Sequence, residues 1–340
     1  MEEKENFEQN ILKSIEENKK IIEENKKMIL DINKQIDRLK LKNRSQDRVI
    51  SSYNKLFTYL YVLFDIKAKG PLKDMQDLCL ELLKFIDNVC VKHDIPYWLE
   101  FGTLLGAVRH EGFIPWDDDV DIGIMKNDLN RFLDVLKKEI KDNNLEEFIK
   151  IVEKKKYDDS VTGFIQVIYY GNPLPYMFAG IDLLPYEYIK DDENLPIDDF
   201  KNNVSQKIKT LQKEYLENEY FKKSPIEAQK EFNDALNVVT QKEKYVIASP
   251  VNLNPNRIVL FKTDDIFPQK RIKFGRYYLF GVNKEKNILK EAYGENYMQL
   301  PRIISFHTRL QSLIQKDVEN LHELYREEIK KLRKINEKWV

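Results

Sequence analysis

Between Pro115 and Gly123 the chain reads PWDDDVDIG, and this string limits the possible folds more than any other. Val120, Ile122 and Ile124 recur at every second position, the period of a β-strand with one face in a core. Asp117, Asp119 and Asp121, also at spacing two, then fall together on the opposite face, on a rigid support. Clustered carboxylates repel one another, and partial burial strengthens the repulsion, so they either take up protons or bind a cation. Oxygen-only ligands favour Mg2+, with Mn2+ as the alternative, over Zn2+, and no Cys/His constellation competes for the role. The plain alternative is an acidic turn whose aspartates cap a helix.

Upstream lies YWLEFGTLLGAVRH, which begins apolar and extended and passes through Gly102 into a helix. At such a strand-to-helix turn the bare backbone N–H groups and the Thr103 hydroxyl can cradle phosphate. A phosphate turn followed by a strand of metal-binding aspartates describes a nucleotidyltransferase-like site. The surrounding pattern fits a mixed sheet. NDLNRFLDVLKKEI reads as a helix starting at an Asn or Asp cap, whereas FIKIV, GFIQVIYY and AGIDLLPYEYI read as strands. Strands interleaved with helices give an α/β (α+β) class, a mixed sheet flanked by helices. Asp182 lies inside AGIDLLPY, where an unpaired carboxylate is costly to bury, so it belongs either to the acidic site or to a strand-end turn.

The first fifty residues contain no Pro or Gly and carry a seven-residue repeat. Ile15, Ile22, Ile29 and Ile36 occupy one core position of a heptad, and Ile11, Asn18, Asn25, Ile32 and Leu39 the other. Residues 1–50 are therefore expected to be a coiled coil that makes a homo-oligomer, and residues 51–71 a connecting segment. Residues 72–308 form the catalytic domain, with 198–248 as a helical insertion, and 309–340 a C-terminal packing helix. Met75, Leu78, Cys79, Leu82, Ile86, Val89 and Cys90 mark an amphipathic helix over 72–93. Its two cysteines, the only ones in the chain, are about 16 Å apart at helical rise and too distant for a disulfide. Buried thiols and a reducing, cytoplasmic setting follow. The start MEEKENFEQN does not resemble a secretory signal. The apolar run 56–64 is shorter than the roughly 20 residues of a spanning helix. Burial against the domain is expected for it, with peripheral contact at the inner membrane face as the alternative. With 56 basic against 57 acidic residues, no basic excess recommends a nucleic-acid partner.

The run FGTLLGAVRHEGFIPWDDDVDIGI resembles the signature of the LicD family, whose bacterial members transfer phosphocholine and whose animal relatives are the fukutin-type ribitol-phosphate transferases. IDLLPYEYI resembles the family's second acidic strand, and DDIFPQKRIKF with YGENYMQLP its C-terminal block. The resemblance covers residues 75–307. It implies that Asp119 and Asp121 are metal ligands, that Asp117 supports them and that Asp182 completes the set. Gly102, Thr103, Arg109, His110 and Lys126 become the phosphate and donor contacts, Arg109 as a bidentate fork or else a surface ion pair, and His110 as a proton shuttle or a plain helix-end residue. Lys126 replaces a family arginine and loses its fork geometry. Gly275 stands where an acidic residue is frequent, the cysteine-rich insertion of animal members is missing, and His307 is peripheral. The implied reaction is attack by a glycan hydroxyl on a CDP-activated donor, leaving CMP. The rivals are transfer of the nucleotide itself and an inactive coiled-coil interaction protein.

Overall fold

The structure is a computed structural model that describes residues 2–64, 66–155, 163–169, 179–217, 225–248, 258–300 and 315–339. His307 and the first residues of the expected C-terminal helix lie outside the described residues. Two compact units make up the chain, Met1–Ile66 and Lys67–Val340. Among the described residues, no helix is long and apolar enough to cross a membrane.

The first unit is one helix, α1 (Glu2–Phe64). It continues past residue 50 through the segment expected to be a connector, because SSYNKLFTYLYVLF offers no breaker before Gly70 and Pro71. Leu56, Phe57, Tyr59 and Leu63 are each more than half exposed.

The second unit begins with α2 (Pro71–Lys92), where Gly70 takes φ 59° and Pro71 opens the first turn. Then follow β1 (Tyr97–Leu99), α3 (Phe101–His110), β2 (Val120–Met125), α4 (Lys126–Asp142), β3 (Ile149–Lys155), β4 (Gly163–Tyr169) and β5 (Ala179–Ile189). The remaining elements are α5 (Ile197–Glu217), α6 (Pro225–Ala235), β6 (Val238–Val239), β7 (Tyr245–Ala248), β8 (Leu260–Lys262), α7 (Thr263–Ile266), β9 (Lys270–Phe274), β10 (Tyr277–Gly281), α8 (Glu285–Tyr293) and α9 (Gln315–Asn336). This is a mixed α+β architecture.

The sheet runs β1-β2-β5-β4-β3, with β2 parallel to β5 and the other neighbours antiparallel. Central β5 changes partner along its length. Its first half pairs β4 through Leu183, its second half pairs β7 from Tyr186, and Pro185, which has no N–H to give, sits near the changeover. The segment 198–248 is consequently not wholly helical. Its end supplies β6 and fully buried β7 (YVIA), whose β-branched and aromatic residues suit a sheet.

Helix α2 is the axle of the core. Met75, Cys79, Leu82 and Ile86 are fully buried, and both cysteines are free and buried. Two of its carboxylates, Glu81 and Asp87, are fully buried, each surrounded by donors as burial of charge requires. Glu81 takes Arg333 Nε at 3.0 Å, Tyr277 Oη at 2.8 Å and Asn336 Nδ2 at 3.1 Å, with Arg276 at 3.3 Å. Asp87 takes Tyr97 Oη at 2.9 Å, Lys84 at 2.9 Å and Arg271 at 2.5 Å. These contacts fasten α9, the β9–β10 hairpin and β1 to α2.

On β2, Val120, Ile122 and Ile124 are fully buried on one face. Gly123, on the other, pairs with Trp98 across the strands, and a Cβ there would stand 2.2–2.5 Å from three atoms of the indole ring. Trp98 is fully buried and cannot step aside, its ring lying 5.1 Å from Tyr186 and 5.7 Å from Phe267. Gly123→Ala is therefore expected to cost about 1–3 kcal/mol through overpacking, read as a lowered urea midpoint with an unchanged slope.

Candidate active site

Carboxylates converge at the entry to β2. Because the strand begins only at Val120, Asp117 and Asp119 lie in the preceding loop, and the expected strand alternation of all three aspartates does not hold. A turn replaces it. Asp117 N–H donates to Ile114 O at 3.0 Å, and buried Gln76 of α2 donates to Asp117 O at 2.7 Å and Ile114 O at 3.3 Å. The turn lets consecutive residues meet, so oxygens of Asp117, Asp118 and Asp119 lie within 4.8 Å of one another. Asp118 is the most buried of the three, at 3% exposure, although the two-residue period gives it no role.

Asp121 is the second residue of β2, and in the parallel register its neighbour is Asp182 of β5. One strand further, Gln166 of β4 stands opposite Asp182 and donates its amide to Asp182 Oδ1. Three adjacent strands thus place Asp121, Asp182 and Gln166 in one row. Buried Thr103 holds the row from α3, its hydroxyl oxygen accepting Asp121 N–H at 2.8 Å. The backbone N–H of Glu100 donates to Asp121 O at 3.0 Å.

The electrostatics follow from this crowding. The Asp121 carboxyl is pushed well above the usual carboxylate range by burial, then by the charges of Asp119, Asp182, Asp117 and Glu100. Glu100, fully buried, rises to about 7 through desolvation, although hydrogen bonds from Trp98, the Phe101 backbone and Tyr186 oppose the rise. Trp98 Nε1 donates to Glu100 Oε2. Glu100 was legible as an ionisable residue between apolar YWL and FG, but strand position alone did not tie it to Asp121.

Several expected phosphate contacts are engaged elsewhere. A Cβ on Gly102 would stand 3.0 Å from Asp117 Oδ2, so the turn at the start of α3 seats a protein carboxylate, which the helix N-terminus favours. The oxygen of Thr103 serves Asp121. Arg109 reaches Tyr297 O and Gln299 O, both at 3.1 Å, and gives its Nε to His110 Nε2 at 2.9 Å. This ties the signature helix to the YGENYMQLP block. Burial and the Arg109 charge lower His110 to about 4, so the ring is neutral at pH 7, with its Nε2 accepting. Lys126 follows β2 at its far end, about 16 Å along the strand from Asp121, and pairs with Glu187 at 3.3 Å. Gly275 takes φ 62° at the β9–β10 turn and gives its N–H to Glu111 O at 2.6 Å, which accounts for glycine there.

A family model described as LicD/FKTN/FKRP, nucleotidyltransferase domain, matches residues 94–194. The lipopolysaccharide cholinephosphotransferase LicD of Haemophilus influenzae is 44% identical over 71 residues, 21% of this chain and 27% of that protein. An uncharacterized protein of Rickettsia typhi is 54% identical over 56 residues, 16% of this chain and 18% of its own length. The human ribitol 5-phosphate transferase FKRP is 47% identical over 49 residues, 14% of this chain and 10% of that protein. The matches thus span about a quarter of the Haemophilus protein or less of the others.

The folded chain keeps Glu100 protonated to about pH 7, whereas an unfolded chain ionises it near 4.5. Protons are released on unfolding in that interval, so stability falls as pH rises through it. In chelator, Glu100→Gln is expected to be more stable than the unsubstituted protein by up to about 3 kcal/mol at pH 8 and by little at pH 4. Urea unfolding at the two pH values checks this. Thr103→Val leaves the Asp121 N–H unpaired and should cost about 1–3 kcal/mol in the same assay, while Thr103→Ser keeps the acceptor and most of the stability.

Proposed function

We propose, from the premise that residues 94–194 form a LicD-family nucleotidyltransferase domain, that the chain is a transferase moving a phosphate-linked group from a CDP-activated donor to a glycan hydroxyl. The observation that carries this reading is the convergence of Asp117, Asp119 and Asp182 on Asp121, whose carboxyl is driven upward by burial and then by their charges. Such a set is all oxygen and mutually repelling, which is the donor chemistry for Mg2+ or Mn2+. Asp119, Asp121 and Asp182 would hold the ion, with Asp117 beside them. When bound it would neutralise charge on the donor pyrophosphate and stabilise the departing CMP.

The residues themselves perform the rest. The glycan oxygen forms a bond to the β-phosphorus as the bond from that phosphorus to the CMP oxygen breaks, and the hydroxyl proton passes to a carboxylate, Asp117 or Asp182. Gln166 fixes one oxygen of Asp182, and Thr103 fixes the Asp121 backbone, so both carboxylates are aimed before substrate arrives. Phosphocholine is the leading cargo, since the Haemophilus relative is a cholinephosphotransferase, and an alditol phosphate such as ribitol phosphate fits the same chemistry. Two free, buried thiols suit a reducing compartment, which supports a cytoplasmic reading.

The test is a donor screen with CDP-choline, CDP-ribitol and CDP-glycerol, following CMP release with and without Mg2+. Stimulation by Mg2+ and release of CMP are expected. Pyrophosphate release from a nucleoside triphosphate would instead indicate transfer of the nucleotide itself. Asp119→Ala and Asp121→Asn are each expected to lower CMP release by at least about 100-fold while leaving the urea midpoint equal or higher, because each removes a repelling charge. Near-normal turnover of either variant at saturating Mg2+ would remove these residues from the site.

A further inference from the structure

Helix α1 presents an apolar seam to solvent. Ile22, Ile29, Ile32, Ile36 and Leu39 are 40–59% exposed, and Ile50, Tyr53 and Phe57 are 50–61% exposed. These residues belong to two series that advance in sevens without a skip. One passes through residues 15, 22, 29, 36, 43, 50, 57 and 64, the other through 11, 18, 25, 32, 39, 46, 53 and 60. A straight α-helix drifts about 20° per heptad against such a repeat, or about 100° from Ile22 to Phe57. A strict seven-residue seam of that length suits a supercoiled partner helix and not the flat side of a globular unit.

The polar residues in the seam say which partner. Asn18, Asn25, Asn43 and Gln46 interrupt the apolar series. When two copies lie parallel and in register, each of these four meets its own counterpart. Lys42 then lies five residues ahead of Asp47, the spacing at which flanking charges of parallel strands meet. Antiparallel copies set one series against the other. In the three such alignments with greatest overlap, facing residue numbers sum to 61, 68 or 75, and at least two of the four polar residues face Ile or Phe. Burying an amide against an apolar side chain is unfavourable, so the polar steps select the parallel arrangement.

We infer that α1 forms a parallel, in-register coiled coil with a second copy of this chain, along a seam that continues through residues 57–64. The apolar run at the end of the helix is then coil interior. Leu56 and Leu63 flank positions 57 and 64 and widen the same seam.

The full chain tests this. Light scattering at micromolar concentration is expected to give at least twice the chain mass of 40.6 kDa, and a single-chain mass overturns the inference. Gln46→Cys, oxidised under mild conditions, is expected to give a disulfide-linked dimer on a non-reducing gel. Cys79 and Cys90 are buried, so the unsubstituted protein should stay unlinked under the same conditions. An associated Gln46→Cys protein that does not cross-link would show an antiparallel or shifted pairing and sink the parallel register. Phe57→Asp should raise the dissociation constant at least tenfold if the seam runs to the end of the helix. An unchanged constant would end the seam near residue 50.

Discussion

The crowding of carboxylates at buried Asp121 is the constraint on which the rest of the second unit depends. Asp121 is buried, which by itself pushes its carboxyl upward, and the charges of Asp119, Asp182, Asp117 and Glu100 add to the cost of ionising it. Left to itself such a cluster would spread apart or take up protons. It persists because the backbone around it is pinned from several directions. Gln76 holds the loop of residues 114–117 from below, Thr103 and Glu100 hold Asp121 by its backbone, and the β2–β5 register brings Asp182 alongside. None of these contacts neutralises charge. They fix position, and in the proposed reaction the charge would be left for a cation.

The same logic explains why the surrounding core contains so many ionic groups. An electronegative site needs a scaffold that does not relax, and α2 supplies it by carrying Glu81 and Asp87 into the interior with full sets of donors. Removing one partner of such a pair is expensive, so the elements around α2 are locked to each other. Trp98 packed into the space above Gly123 adds a steric lock beside the acidic row.

Much of this was legible in the sequence, for reasons particular residues make plain. The two-residue period identified β2 from Val120 onward and β5 around Asp182, and parallel pairing of two such strands sets their carboxylates side by side. Asp117 and Asp119 were misplaced on that strand because periodicity cannot see the turn that Ile114 O closes. Gly102 and Thr103 were identified as important, but their partners are Asp117 and Asp121, since a glycine and a hydroxyl serve a nearby carboxylate or amide as readily as a phosphate. Gln166, Gln76 and Asp118 left no signal, because nothing in a strand or helix pattern distinguishes a buried polar residue that supports a site from one that faces water. The reach of α1 beyond residue 50 follows from the absence of any breaker, which is harder to weigh than a Gly or Pro that is present.

Arg109 and Lys126 sharpen the electrostatic consequence. Both were expected to meet donor phosphates, yet Arg109 spends its guanidinium on the carbonyls of Tyr297 and Gln299 and on His110, and Lys126 on Glu187. A pyrophosphate approaching Asp117, Asp119, Asp121 and Asp182 would therefore meet the negative charge of the cluster while Lys126 is paired with Glu187. In the proposed reaction the metal then has to bring together two sets of oxygens that repel each other, those of the protein and those of the donor. Dependence on divalent cation would be a property of substrate binding as well as of the chemical step, because without the ion neither set of anions tolerates the other.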